Sequence, residues 1–287
     1  MRHSPAHRLI WPAFARRSGM VDCVDAVEVG EFRIAFERKG HGPPLLLLHG
    51  FVGDGVGTWR YQLETLSDEF TVVAWDAPGA GHSSPAPESF RLPNYVDCLY
   101  GFISALKLTH PYVAGLSFGS MLALELFRRH RAVPRKLVLA SAYAGWAGSF
   151  PPEVVQERLQ LSLQLSRLPA ADFVAALLPS MFSQQAAADR VADFAANVAE
   201  FHPVGFRAMA LASAEADLRE VLASIDVPTL LLYGDQDVRA PREVAEALLA
   251  GIPGSRLIMM PGVGHAGSVE APDRFCNEVR TFLNERQ

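Results

Sequence analysis

Short apolar runs alternate with amphipathic stretches along most of the chain. Runs dominated by apolar residues are typical of strands that are buried on both faces of a parallel sheet. Six of them occur, at residues 44–48, 70–75, 111–116, 135–141, 227–233 and 256–260. Helical patterns follow the first three runs, near residues 59–66, 94–106 and 121–127. This alternation predicts an α/β fold, with a mainly parallel sheet and helices on both of its faces.

A predicted hairpin precedes this alternating pattern, and a predicted helix ends it. Apolar and polar residues alternate at 26–38 around Gly30, which predicts an antiparallel hairpin with one covered face. Near the end of the chain, Pro272 suits the first turn of a helix. Four apolar residues share one face of that helix, namely Phe275, Val279, Phe282 and Leu283. We therefore expect a closing helix that packs on the sheet.

The segment between Tyr143 and Asp217 interrupts the alternation. It contains no strand-like run, but it has helical patterns near residues 154–168, 172–178 and 186–199. We interpret residues 143–217 as a helical cap, inserted into a core of residues 26–142 and 218–287, with residues 1–25 as an N-terminal tail. The cap is rich in apolar residues, so we expect some of them to line a pocket and the others to dock the cap on the core.

Size and charge narrow the range of functions. The 287 residues can bury a large core, and a net charge of −5 with a pI near 6.0 provides no concentrated basic face for nucleic acid or an anionic membrane. The three cysteines are widely spaced and odd in number, which argues against a disulfide framework. The first twenty residues contain no apolar run long enough for a signal peptide, and no transmembrane segment is visible, so we expect a cytoplasmic location.

Candidate chemistry concentrates in the Gly-x-Ser-x-Gly segment at residues 115–119. An apolar strand ends there and a helical pattern begins at once, as in a nucleophile elbow. Gly115 and Gly119 remove Cβ atoms where the backbones of strand and helix approach each other. Ser117 is then expected at the carboxyl end of the strand, facing the N-terminus of the helix, whose free N–H groups stabilise negative charge.

A serine nucleophile needs a base, and the base needs a group that orients it. His265 lies in a glycine-rich loop after the last predicted strand, while Asp235 and Asp237 lie in the loop after the preceding strand. The chain order of serine, aspartate and histidine is the order found with the nucleophile elbow. On these grounds either aspartate could orient His265.

Five motifs in the same order give the chain a specific resemblance to a known family. They are His49-Gly50-Phe51, residues 76–83, the elbow, residues 234–237, and His265 followed by Glu270-Ala271-Pro272 and Phe275. From Ala26 onwards the chain resembles the α/β-hydrolases with a helical cap. That group includes esterases, enol-lactonases, cofactor-free haloperoxidases and carbon–carbon bond hydrolases.

The resemblance implies a role for each candidate residue. Ser117 would be the nucleophile and His265 the base. The acid of similar sequences lies three residues beyond the glycine that ends the strand, which selects Asp237 over Asp235. The backbone N–H groups of Phe51 and Phe118 would form the oxyanion hole.

Five further side chains are candidates for the substrate pocket. His49 and His82 lie in loops at the expected mouth of the site, where each could either touch substrate or shape its loop. From the cap we assign Trp146, Met181 and Phe182 to the pocket. The arginines of the cap are expected on its solvent face, which predicts an apolar pocket: they are Arg158, Arg167, Arg190 and Arg207.

The sequence therefore predicts a serine hydrolase that cleaves a small, largely apolar carboxylic ester or lactone through an acyl-enzyme. It predicts no cofactor and no metal ion, and it leaves the oligomeric state open. Two alternatives remain at this point. The same triad could serve a carbon–carbon bond or enol-lactone hydrolase, or the fold could form a receptor that senses a ligand in the capped pocket.

Overall fold

The structure, a computed structural model, describes residues 24–285. It opens with an antiparallel hairpin of β1 (Asp25–Val29) and β2 (Phe32–Lys39), which turns through Gly30 at a φ of 59°. Glycine suits this left-handed turn because it has no Cβ atom to clash. The predicted hairpin is confirmed, whereas nearly all of the predicted N-terminal tail lies outside the described residues.

Strands and helices then alternate along the chain. In order they are β3 (Pro44–Leu48), α1 (Gly55–Thr65), β4 (Thr71–Trp75), α2 (Leu92–Ala105), β5 (Tyr112–Leu116), α3 (Phe118–Arg129) and β6 (Lys136–Ala140). Nearly every residue of these four strands is buried, because helices cover the sheet on both sides. This burial explains why the runs contain so few polar residues.

A helical segment separates β6 from the next strand. It consists of α4 (Pro152–Leu165), α5 (Ala170–Leu177), a 3-10 turn (Leu178–Ser180), α6 (Ala188–Val198), α7 (Pro203–Glu215) and the short α8 (Arg219–Leu222). The first three α-helices overlap the segments predicted as helical. Residues 143–217 are called the insertion below.

The chain returns to the sheet after the insertion. The remaining elements are β7 (Thr229–Gly234), α9 (Arg242–Gly251), β8 (Arg256–Met260), the short α10 (Gly267–Glu270) and α11 (Pro272–Asn284). The sequence analysis did not identify α9. The closing helix α11 is confirmed, and its predicted apolar face is buried against the sheet and α1, with the rings of Trp59 and Phe275 5.7 Å apart.

Within residues 24–285 the sheet has eight strands in the order β1-β2-β4-β3-β5-β6-β7-β8. Among these strands only the pairings of β2 with β1 and with β4 are antiparallel, so the predicted mainly parallel sheet is confirmed. Strand β5 lies between β3 and β6, and the three strands end at the same edge. The loops after β3, β4, β5, β6, β7 and β8 therefore meet at this carboxyl edge, where α/β sheets bind ligands.

The insertion contacts the core through the loops at this edge. The Asn197 side chain donates a hydrogen bond to Asp54 at 2.7 Å, and His202 Nε2 lies 3.0 Å from the carbonyl oxygen of Gly81. Gly205 approaches Gly79 so closely that a Cβ atom at Gly205 would lie 2.0 Å from the Gly79 oxygen. The insertion thus covers the loops that follow β3 and β4.

None of the helices within residues 24–285 combines the length and the apolar character that crossing a membrane requires.

Candidate active site

Ser117 occupies a strained turn between β5 and α3. Its φ of 54° and ψ of −109° lie outside the regions that non-glycine residues ordinarily adopt. A Cβ atom at Gly115 would lie 2.3 Å from the carbonyl carbon of Gly119, and one at Gly119 would lie 2.1 Å from the Leu48 oxygen. The close backbone approach predicted for both glycines is confirmed.

The end of β6 links the elbow to the histidine loop. The Ser117 N–H donates to the carbonyl oxygen of Ala140 at 2.9 Å, and the hydroxyl of the next residue, Ser141, donates to the carbonyl oxygen of His265 at 3.0 Å. Adjacent residues of one strand end therefore hold the serine turn and the histidine loop together.

His265 and Asp237 form a buried pair. The Nδ1 atom of His265 lies 2.9 and 3.0 Å from the two carboxylate oxygens of Asp237. The backbone N–H groups of Arg239 and Ala240 also donate to Asp237 Oδ1, each at 2.8 Å. These bonds fix the carboxylate and place a proton on Nδ1 of the imidazole, which leaves Nε2 free to accept one.

Asp235, the other candidate acid, lies elsewhere. Its side chain is exposed, and it accepts a hydrogen bond from the Gly262 N–H at 2.7 Å. It thus braces the loop that precedes His265. The structure brings Asp237, the aspartate that the resemblance selects, to the histidine and places Asp235 outside the pair.

Burial controls the ionisation of the pair. It disfavours the imidazolium form and lowers the pKa of His265 below its ordinary value of 6.5, although the negative charge of Asp237 acts in the opposite direction. For Asp237, burial acts to raise the pKa, but attraction to a protonated His265 and hydrogen bonds from His265, Ala240 and Ser141 together lower the net pKa. At neutral pH the pair is therefore a neutral imidazole beside a carboxylate.

Two backbone N–H groups flank the serine without partners among the described residues. Phe118 is the first residue of α3, so its N–H lies at the positive end of the helix. Phe51 follows Gly50, at which a Cβ atom would lie 3.9 Å from the Ser117 Cβ. Within residues 24–285 neither the Phe51 nor the Phe118 N–H donates a hydrogen bond.

The two loop histidines differ in position. His49 is buried; its Nε2 accepts the Ala77 N–H at 3.0 Å and its Nδ1 lies 2.5 Å from the Gly50 oxygen. The assignment of His49 to the substrate pocket is therefore corrected: backbone groups occupy both ring nitrogens, and the residue shapes the loop before Phe51. His82 is largely exposed and, with Phe51, lines a cavity of ≈ 590 Å³ between core and insertion.

The insertion residues assigned to the pocket lie against the catalytic loops. Trp146 is buried, with its ring 6.0 Å from that of Phe51. The carbonyl oxygen of Met181 accepts the Ala266 N–H at 2.9 Å. Phe182 packs its backbone on Gly264, where a Cβ atom would lie 2.7 Å from the Phe182 carbonyl carbon. Contact of these residues with substrate stays a prediction.

Two arginines near the site were not anticipated. Arg158 was expected on the solvent face, but its guanidinium carbon lies 5.4, 4.9 and 4.5 Å from the ring centres of Tyr143, Trp146 and Phe150. Arg239 was not singled out at all, and its guanidinium carbon lies 5.5 Å from the centre of the Phe51 ring. Its position two residues after Asp237 was the one sequence signal that could have identified it.

In the chain, a serine lies on a strand-to-helix elbow, and an aspartate and a histidine follow the last two strands, β7 and β8, of a mainly parallel sheet. This is the arrangement of a hydrolase of the α/β class. Residues 43–272 match the sequence model of the alpha/beta hydrolase fold, and the chain belongs to that family.

Individual relatives agree with this classification. The AB hydrolase superfamily protein YisY of Bacillus subtilis is 27% identical over 253 residues, which cover 86% of this chain and 94% of the relative. Serine hydrolase BPHL of Mus musculus is 27% identical over 266 residues, covering 90% and 85%. The solved structure of a thermophilic esterase from Thermogutta terrifontis matches with a TM-score of 0.83 and 28% identity, covering 90% of this chain and 98% of the esterase.

Proposed function

We propose that the protein is a serine hydrolase that cleaves a small carboxylic ester or lactone through an acyl-enzyme. The observation that carries this proposal is the Asp237–His265 pair, with a carboxylate oxygen 2.9 Å from Nδ1, held beside the strained Ser117 turn. The 28% identical esterase supports an ester as the substrate.

Each group has a definite task in the first half of the reaction. His265 Nε2 accepts the Ser117 hydroxyl proton while the serine oxygen bonds to the substrate carbonyl carbon. Asp237 holds the imidazole in the required tautomer and stabilises the imidazolium that forms. The N–H groups of Phe51 and Phe118 donate to the developing oxyanion, a contribution worth about 3 kcal/mol per donor. His265 then returns the proton to the departing alkoxide, which leaves the acyl group on Ser117.

The second half repeats these steps with water. His265 removes a proton from a water molecule, whose oxygen attacks the acyl carbon, and the resulting oxyanion occupies the same two N–H groups. Collapse of this intermediate breaks the bond to Ser117, and the serine oxygen recovers its proton from His265. The products are a carboxylic acid and an alcohol, or a hydroxy acid if the substrate is a lactone.

Aromatic side chains border the loop after β3 that contains Phe51, called the oxyanion loop below, on the side of the insertion. The ring of Phe51 stacks on Phe206 at 4.9 Å and meets Trp146 edge to face. Ser117 itself is only 5% exposed, so access to it is narrow. These two features favour a small substrate with an apolar portion.

Turnover of 4-nitrophenyl acetate and butyrate tests the proposal. The wild-type protein should hydrolyse them and become labelled by a serine-directed phosphonate, whereas Ser117→Ala should lose turnover by several orders of magnitude and resist labelling. Ser120→Ala is the matched control. It removes a buried hydroxyl that donates to the backbone oxygens of Gly115 and Ala140, and this variant should keep both turnover and labelling at Ser117. Tight ligand binding without turnover would instead favour the receptor alternative.

A further inference from the structure

Arg239 presents an unused hydrogen-bonding edge beside the oxyanion loop. Its backbone N–H is bonded to Asp237, and its Nη1 donates to the Ser180 hydroxyl of the insertion at 3.0 Å. Its Nε is buried and has no hydrogen-bond partner among the described residues. A buried, unpaired charged donor is costly, so the fold does not retain one at this place for stability alone.

Arg158 holds a second positive charge next to the first. Its Nη1 donates to the carbonyl oxygen of Arg239 at 3.0 Å and its Nη2 to the Tyr143 hydroxyl at 3.1 Å. The guanidinium lies over three aromatic rings, which stabilise it by cation–π contact and fix its orientation. Hydrogen bonds and ring contacts therefore hold Arg158 in place near Arg239.

Neither guanidinium has a carboxylate partner within residues 24–285. Many other arginines of this protein do form such ion pairs, among them Arg60, Arg91, Arg128, Arg131, Arg207, Arg219, Arg256 and Arg280. Burial also lowers the pKa of Arg239, and the neighbouring charge of Arg158 acts in the same direction, while Tyr143 and Asp237 oppose it. Two neighbouring, partly buried cations lie near one carboxylate, that of Asp237, which is bonded to His265, and together they form a site of net positive charge.

This site is adjacent to the catalytic groups. Arg239 shares its loop with Asp237, and its guanidinium lies over the ring of Phe51. Tyr143, which binds Arg158, has its ring centre 6.4 Å from that of His265. A negative group bound to Arg239 would thus belong to the molecule that occupies the active site.

The free donors of the Arg239 guanidinium identify the kind of anion that would bind there. With Nη1 engaged by Ser180, Nε and Nη2 remain as the two parallel donors of the guanidinium fork. This fork matches the two oxygens of a carboxylate. The surrounding aromatic rings suit the hydrocarbon part of such a molecule. Both Nη atoms of Arg158 already donate, to the Arg239 carbonyl oxygen and the Tyr143 hydroxyl.

The geometry points to Arg239, positioned by Arg158, as the binding residue for a carboxylate group of the substrate. The enzyme would then act on half-esters of dicarboxylic acids or on lactones that carry an acid group, in preference to neutral esters. This inference rests on the proposed hydrolase function, which it makes more specific. It also replaces the apolar pocket that the sequence predicted with one that has a charged end.

Two pairs of substrates test the inference by steady-state kinetics. Mono-4-nitrophenyl glutarate, with the carboxylate in its acyl part, is compared with 4-nitrophenyl valerate. 4-Acetoxybutyrate, with the carboxylate in its alcohol part, is compared with butyl acetate. A charge-assisted bidentate contact should raise kcat/KM for the acid of at least one pair about tenfold or more. Arg239→Gln should abolish this preference, and Arg239→Lys, which keeps the charge but not the fork, should retain part of it.

Arg242→Gln is the matched control. It removes the same charge three residues away, from an exposed arginine at the start of α9, and should keep the wild-type preference. Thermal unfolding of each variant establishes that it is folded. Absence of an acid preference in both pairs, or a preference that Arg239→Gln leaves at its wild-type value, would overturn the inference.

A binding measurement separates this inference from the hydrolase proposal. Glutarate should raise the Tm of the Ser117→Ala variant in a saturable way, and the additional Arg239→Gln substitution should remove the rise. Glutaramide should have no such effect, and stabilisation by inorganic phosphate but not by glutarate would contradict a carboxylate site. If wild-type protein hydrolyses no ester, the proposed function fails and the glutarate titration alone decides the carboxylate site.

Discussion

The backbone N–H of Ala266 donates to the carbonyl oxygen of Met181 at 2.9 Å. This bond joins the residue after the catalytic-loop histidine directly to the insertion. Glu270 strengthens the same junction, because its carboxylate accepts from the Gly264 N–H at 2.8 Å and from both the N–H and the hydroxyl of Ser183. The insertion therefore positions His265 as well as covering the site.

Removing the charge of Glu270 should loosen this junction. Glu270→Gln replaces an acceptor-only carboxylate with an amide and weakens the three bonds from Gly264 and Ser183, so we expect a stability loss of about 1–3 kcal/mol. We also expect kcat to fall, with little change in KM, because His265 is less well placed. Chemical unfolding and steady-state kinetics measure the two effects. Glu246→Gln, an exposed carboxylate on α9, is the control, and equal behaviour of the two variants would contradict the positioning role.

The two aspartates after β7 should respond differently to the same substitution. Asp237→Asn leaves the His265 tautomer unfixed and should lower kcat by about three to four orders of magnitude. Asp235→Asn affects the bonds from the Gly262 N–H and the Gln236 side chain and should stay within a few-fold of wild type. Steady-state kinetics on one 4-nitrophenyl ester compares them. The opposite ranking would transfer the acid role to Asp235.

The pH dependence of kcat/KM should reflect the lowered pKa of His265. Below this pKa the imidazole is protonated and cannot accept the Ser117 proton, so activity falls with falling pH. Burial places the pKa below 6.5, and we therefore expect the midpoint of the decline in kcat/KM to lie below pH 6.5. A rate profile from about pH 4.5 to 8.5 measures this limb. A decline centred above pH 6.5 would contradict the expectation, and unfolding curves at the same pH values exclude acid denaturation.

Gly115 should not tolerate a methyl group. The new Cβ atom of Gly115→Ala would lie 2.3 Å from backbone atoms of the elbow helix, which cannot move aside without displacing Ser117. We expect a loss of about 3 kcal/mol in the free energy of unfolding, together with loss of activity. In Gly254→Ala the Cβ atom meets open space and only the φ of 68° is unfavourable, so the cost should be about 1–2 kcal/mol. Urea unfolding compares the two variants.

Local sequence patterns were enough to predict most of the fold. Buried parallel strands have a continuous apolar pattern, and the predicted elements of the core all occur in the structure. The triad candidates could be identified from the sequence because Ser117, Asp237 and His265 each follow a predicted strand, and the carboxyl ends of parallel strands lie at the same edge of the sheet. The helix α9 was missed because its ten residues bury only a narrow face, with Val244, Ala245 and Leu248.

The two arginines could not be predicted from local patterns. Helical spacing says nothing about the loop containing Tyr143, Trp146 and Phe150, whose rings receive Arg158. Arginine is ordinarily exposed, so the expectation of a solvent-facing Arg158 followed from residue type alone. Its burial depends on contacts between segments, which only the three-dimensional arrangement defines.

The contact between Gly79 and Gly205 has a consequence for how this enzyme can change. Neither position has room for a side chain, since a Cβ atom at Gly205 would lie 2.0 Å from the Gly79 oxygen and one at Gly79 would lie 2.9 Å from the Gly205 Cα. The separation between core and insertion is therefore set at this point by backbone alone. Mutations that enlarge or shrink neighbouring pocket side chains leave this reference distance unchanged. New substrate preferences can evolve around a fixed joint, one side chain at a time.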